Sequence, residues 1–412
     1  MAMKQTLRAL VTLTLAVGAF VWLRDRFEAP PLRSVRETPA AGLPTSRAAL
    51  DARIAEMRRR VAADPADGAA ATMLADALMR AARVHADASL PLEAERALRA
   101  TLRHGEDYAA QQMLAAVYLS QHRFREGLEI ALQARKAHPR DAWNAAVAGD
   151  ALLELGRYDE AFDMFDEAVS LRPDAGAYAR VAYARELRGD LRGALKVMRM
   201  AAEATASPDV EAQAWVRTQI GMLHLHLAEF DDAEREFRRA EFLFPEHPYA
   251  LTGRIRLAIA RGQHAEALRM LRRAPATPET LAMRGDLQAH LGDRTAAAAS
   301  YQESERLERE GWASEQPQPG ALARFLAERD RSIPEAVALA ERAAADRQDI
   351  HTMDAMAWAY FKAGRLADAD AAIGRAMRTG TVDPRIRCHA AAIAEARRGG
   401  APGRCDPLNP QA

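Results

Sequence analysis

Apolar and small residues recur every three or four positions in block after block of this chain, and each block ends at a Gly or a Pro. Residues 142–173 read AWNAAVAGDALLELGRYDEAFDMFDEAVSLRP. Ala148, Gly149 and Leu152 share one helical stripe, and a turn falls at Gly156. Tyr158, Ala161, Phe165 and Ala168 form the stripe of a second helix that stops at Pro173. The small residues let two helices approach closely, the larger ones fill the gap to the next unit, and the turn glycine takes a left-handed backbone.

The pattern predicts helical hairpins along most of the chain. Ser46 reads as the N-cap of a first helix over 47–63, ending near Pro65. A looser pair follows over 69–83 and 92–104, with an irregular loop at 85–91. Clear units cover 108–139, 142–173, 175–206 and 214–245. Residues 248–274 turn at Gly262 with a shortened second helix, and 278–310 turn at Gly292. The rhythm breaks over 310–320, returns as a weak hairpin (321–329, 334–345), and gives a last clear unit over 350–381. A helix over 384–398 is expected to cap the array.

Pro139 and Pro173, 34 residues apart, close two successive units. That period and composition resemble the tetratricopeptide repeat. The resemblance covers residues 65–383, sharpest in the units ending at Pro173 and Pro245. It implies an all-α fold, a right-handed α-solenoid of tandem helix-turn-helix repeats, with about eight units, each leaning on its neighbours. The first helix of each hairpin would line a concave, partner-binding face. Carried over, this places Gln112, Trp143, Asp150, Tyr183, Trp215, Tyr249, Arg256, Asp286, Asp354, Trp358 and Lys362 near the groove. Three of the five tryptophans fall there; such rings either meet a partner or pack between adjacent helices. The family's carboxylate clamp is missing, since its positions hold Gln112, Ala146, Ala179 and Thr218.

Composition narrows the function. Hydrophobic residues make up 49% but aromatics only 6%, so the interior is built from Ala, Leu and Val. Lys plus Arg equals Asp plus Glu at 57 each, against a nucleic-acid partner. Arginine supplies all but four of the positive charges, which reads first as coding bias.

Residues 1–26 stand apart. Lys4 and Arg8 precede the apolar run 9–23, and Arg24-Asp25-Arg26 follow it. This predicts a signal anchor, or a signal peptide cut near Ala19. Residues 27–45, with Pro30, Pro31, Pro39 and Pro44, read as an extended linker. The repeats (46–383) would then face the periplasm from the inner membrane, or be secreted into it, followed by a capping helix and tail (384–412).

No catalytic motif is present, and neither a cofactor nor a metal site is expected. His224 and His226 are two apart on a helix and cannot share a metal; His224 falls at a packing position. Asp231-Asp232 and Asp159-Glu160 open helices, where carboxylates favour the dipole. Cys388 and Cys405 are the two cysteines. The helix back from Arg398 to Cys388 measures about 15 Å, while the tail to Cys405 can stretch about 23 Å. A disulfide pinning the tail is therefore in reach, against two unpaired thiols. The expected function is a non-enzymatic protein-interaction scaffold, exported and tethered to the inner membrane, binding polypeptide for envelope assembly, secretion or complex maturation. The alternative is an accessory module presenting substrate to a glycosyltransferase or cofactor-maturation enzyme on another chain.

Overall fold

Acidic caps and left-handed turns cut the chain into hairpins. The structure, a computed structural model, describes residues 46–401 except 88, 207, 246 and 314–317, together with residues 405, 406 and 408. The expected anchor (1–26) and linker (27–45) lie outside the described residues. Within them are twenty helices, and none is long and apolar enough to cross a membrane.

Helix α1 (Arg47–Ala63) precedes nine hairpins. They are α2 (Gly68–His85) with α3 (Leu90–Leu102), α4 (Tyr108–Ser120) with α5 (Phe124–Ala137), and α6 (Ala142–Glu154) with α7 (Tyr158–Leu171). Next come α8 (Ala175–Leu187) with α9 (Leu191–Ala204), α10 (Val210–His226) with α11 (Phe230–Leu243), and α12 (Pro248–Ala260) with α13 (His264–Leu271). The last are α14 (Pro278–His290) with α15 (Arg294–Ala313), α16 (Pro319–Glu328) with α17 (Ile333–Asp346), and α18 (Ile350–Lys362) with α19 (Leu366–Ala376). Helix α20 (Pro384–Arg397) closes the array. Helix α15 runs on through Ala313, so helical structure continues into the break expected from residue 310.

The local chemistry repeats. Asp67, Asp107, Asp141, Asp174, Asp209 and Asp349 each accept a backbone N–H at the head of a hairpin's first helix. At the α6–α7 turn, Gly156 (φ +78°) donates to the Leu153 carbonyl and Arg157 to that of Leu152, which satisfies two carbonyls of the helix end. His122 (φ +60°) and Ala228 (φ +59°) take the same role at the α4–α5 and α10–α11 turns. Between the helices, Phe165 covers Gly149, where a Cβ would come within 2.5 Å of the ring, and Phe237 likewise covers Gly221 at 2.6 Å. Both rings are fully buried.

The array also coils far enough to touch itself. Arg80 on α2 donates to both carboxylate oxygens of Asp209 at 3.0 Å, and Arg83 reaches Glu211 at 3.0 and 3.2 Å. Asp209 caps α10 at the same time. A second contact docks the α17–α18 junction on the α6–α7 turn. There Gln348 N–H donates to the Leu155 carbonyl (3.4 Å), and Ile350 N–H donates to the Tyr158 hydroxyl (2.8 Å). Arg378 donates to the carbonyls of Gly156 (2.9 Å) and Gln348 (2.6 Å), and Arg347 pairs with Glu154 (3.0 Å).

Two turn glycines serve this closure. A Cβ on Gly156 would lie 2.5 Å from the Gln348 carbonyl, and one on Gly189 2.8 Å from that of Gly380. Gly262 has the same turn conformation with nothing within 4 Å. Asn tolerates a left-handed backbone, so Gly262→Asn is expected to cost about 1 kcal/mol or less. Gly156→Asn is expected to cost about 1–3 kcal/mol more, because the added atoms must displace Gln348. Urea denaturation of the two variants checks this; equal losses would show that the closure tolerates a side chain there.

Candidate functional site

Closure leaves an open-sided cavity of about 770 Å³ between the α8–α10 region and the C-terminal cap. One wall carries Tyr183 and Glu186 from α8, Asp190 and Arg192 at the start of α9, and His226 at the end of α10. The opposite wall carries His351 at the start of α18, Thr381 and Asp383 from the α19–α20 connection, and Arg387 and Cys388 from α20. His226 Nδ1 lies 3.0 Å from Glu186 Oε1. Asp383 caps α20 through the Ile386 N–H; burial raises its pKa, but Arg385 and that hydrogen bond outweigh burial and hold the carboxyl below its usual range. Burial and Arg385 together push His351 down.

The residues expected on the groove divide. Tyr183 (38% exposed) stands on the cavity wall. Trp143 (42%) and Tyr249 (45%) are exposed, at the starts of α6 and α12. Trp215 is half-buried against the cluster of Ile220 and Leu223. Arg256 is exposed and pairs with Glu279. Four positions are committed to pairs within the array. Gln112 Nε2 donates to Asp141 (2.8 Å) and Asn144 (2.9 Å). Asp150 is gripped at both oxygens by Arg180 (2.8 and 2.7 Å). Asp286 accepts from Arg329 (2.7 Å) and Tyr301 (2.9 Å). Lys362 pairs with Asp330 (2.7 Å).

Asp354 and Trp358 are in the interior, not on the groove. Trp358 is 4% exposed, with the His389 ring stacked on it at 3.9 Å and 10° and Phe361 on it at 4.8 Å. His389 Nδ1 lies 2.8 Å from Asp354 Oδ1, and Arg385 Nε lies 3.2 Å from Asp354 Oδ2. Burial disfavours the Asp354 charge, yet His389 and Arg385 hold it at about 2. Helix α20 therefore covers what the carry-over treats as open surface. Its partners Arg385 and His389 were missed because the cap helix is not itself a repeat. Their spacing from Asp354, close to one repeat length, was the available signal.

Two further groups complete the picture. His224 is buried, with Nδ1 2.7 Å from Glu229. Asp232 lies close enough to share an ion with them, but Arg192 pairs with Glu229 and Arg235 with Asp232, so the carboxylates already face cations. Cys388 and Cys405 form a disulfide, with the sulfurs 2.05 Å apart.

The family model described as tetratricopeptide repeat matches residues 113–176, 146–210 and 218–279. Tetratricopeptide repeat protein 36 of Mus musculus is 38% identical over 94 residues, which is 22% of this chain and 50% of that protein. The chain thus spans about half the length of this curated relative. Among solved structures, a human IFIT1 dimer with PPP-AAAA aligns with a TM-score of 0.50 at 16% identity, over 77% of this chain and 73% of that one. Yeast Tom70 aligns with a TM-score of 0.44 at 14% identity, over 85% and 86%. The likeness to the human structure is one of fold.

Replacing Trp358 by Ala is expected to lower stability by about 3–5 kcal/mol, as removal of a buried ring does, through loss of the stack on His389. Thermal and urea unfolding check this. An unchanged unfolding midpoint would return Trp358 to the partner-facing surface.

Proposed function

Since tetratricopeptide repeats run between residues 113 and 279 of this chain, we propose that it is a protein–protein interaction scaffold that takes a polypeptide segment on its inner face. The cavity beside Tyr183 carries this reading. It sets an aromatic ring among charges of both signs, Glu186, Asp190, Arg192 and Arg387, a mixture suited to the main chain and polar side chains of an extended peptide. Aromatic and arginine side chains in partly enclosed sites carry most of the energy of protein interfaces. Trp143, Trp215, Tyr249 and Arg256 extend the contact surface along the first helices of other hairpins.

The scaffold is exported and held at the inner membrane by residues 1–26, with its repeats on the periplasmic side, where it serves envelope assembly, secretion or maturation of a complex. Support for this comes from Lys4 and Arg8 ahead of the apolar run 9–23.

A photo-crosslinking residue at position 183 of the full chain, irradiated in spheroplasts, is expected to capture a polypeptide, and the repeats are expected to be cut by added protease. Tyr183→Ala is expected to weaken binding of the captured polypeptide about 30-fold with helical content unchanged. Equal binding by the variant, or repeats shielded from protease until the membrane is broken, would overturn the corresponding half of the proposal.

A further inference from the structure

Arg324 of α16, His351 of α18 and Arg385 of α20 come together from three helices at the edge of the cavity, where His351 forms part of the wall. Arg385 Nη2 lies 3.4 Å from His351 Nδ1, and Arg385 Nε lies 3.2 Å from Oδ2 of the buried Asp354. Arg324 is close enough to act on both. Arg385 and then burial push the Arg324 guanidinium below its usual range, and Arg324 is among the charges that push His351 down.

Arg324 is left over when the charges around it are paired. Its one ion pair among the described residues is with Glu328, at 3.9 Å, and Glu328 lies closer to Arg329, at 3.1 Å. Asp354 is taken by His389 and Arg385, and Glu279 by Arg256. A separation of 3.9 Å is too long for a hydrogen bond, so the five N–H donors of the Arg324 guanidinium are open, and its side chain is 36% exposed. Two like charges held side by side with no anion between them cost stability. The fork of each matches a carboxylate, and a carboxylate between them turns the repulsion into two attractions.

We propose that Arg324 and Arg385 form a carboxylate-binding site beside the cavity, and that it receives an acidic side chain of the bound polypeptide. This rests on the reading of the chain as a polypeptide-binding scaffold and names a residue that the polypeptide must carry. The cavity is open-sided, so a segment can lie across Tyr183 and run past His351 to the arginines with both its ends outside. An internal Asp or Glu fits that path better than a chain terminus. A single carboxylate also suits the surroundings better than a run of phosphates, since Glu279, Glu328 and Asp383 act on the two arginines and would repel further negative charge.

The test uses the full chain and short fluorescent peptides followed by anisotropy. One alternates Glu and Ala with an amidated end, one alternates Gln and Ala with an amidated end, and a third is the glutamine peptide with a free carboxyl end. Wild type is expected to bind the glutamate peptide at least about 10-fold more tightly than either glutamine peptide. Arg324→Gln is expected to lose that preference, and to unfold at the same temperature as wild type or higher because a like-charge contact is relieved. Arg324→Lys, which keeps the charge without the fork, should recover part of the preference. Saturating glutamate peptide should raise the unfolding temperature of wild type and not that of Arg324→Gln.

An undiminished preference in Arg324→Gln overturns the proposal. So does an unfolding temperature lowered by that substitution, since Arg324 is then part of the packing. Binding of none of the peptides, tightest binding of the free-ended glutamine peptide, or tighter binding of a single-stranded oligonucleotide overturns it as well. The scaffold reading is decided separately, by crosslinking at position 183.

Discussion

The docking of the α17–α18 junction on the α6–α7 turn is the contact on which the arrangement of the molecule depends. A stack of helical hairpins ordinarily touches only its nearest neighbours, and its ends are free. Here the carbonyls of Leu155 and Gly156, which a helix end leaves without partners, are met by Gln348 and Arg378 from the last third of the chain. The Tyr158 hydroxyl is fixed by the Ile350 N–H. The cavity beside Tyr183 exists only because this contact, with the approach of Gly189 to Gly380, brings α18–α20 opposite α8–α10. Contacts so distant in sequence are formed late and at an entropic cost, so the cavity belongs to the completed fold and not to any fragment of it.

Arginine does much of the joining. Its planar fork matches both oxygens of a carboxylate, which a lysine ammonium cannot do. Arg83 on Glu211 and Arg180 on Asp150 use that geometry between helices. Arg378 uses its guanidinium to bridge two backbone carbonyls. The scarcity of lysine, which reads from composition as coding bias, thus also has a structural use. Charges such as Asp209, Glu211 and Asp354 are buried with partners in place, and removing one partner would leave the other charge stranded.

The hairpins were legible because their signals are local. A three-to-four-residue stripe, a small residue facing an aromatic, an Asp at most first-helix heads and a Gly at most turns act within a single unit, and even the short α13 could be read from the sequence. The coil of the array was not legible, since it is the sum of small rotations between units that no single residue encodes. The groove assignment divided for the same reason. Tyr183, Trp143 and Tyr249 lie where another repeat follows them and are exposed. Asp354 and Trp358 belong to the last hairpin, and the helix that follows it brings Arg385 and His389 instead of a new repeat. The reach of the tail could be estimated from chain length, and Cys388 and Cys405 are bonded within that reach.

Self-contact also sets a rule for how this array can change. An open stack can gain or lose a hairpin anywhere, and only its length alters. In a closed one, Gln348 meets Leu155 only if the intervening hairpins add up to the right rotation and rise. Adding or deleting one hairpin between residues 158 and 347 would carry the two surfaces past each other, whereas the same change before α2 would leave them in register. The number of units between the two contact surfaces is therefore a conserved quantity of the architecture, counted by the geometry of its own closure.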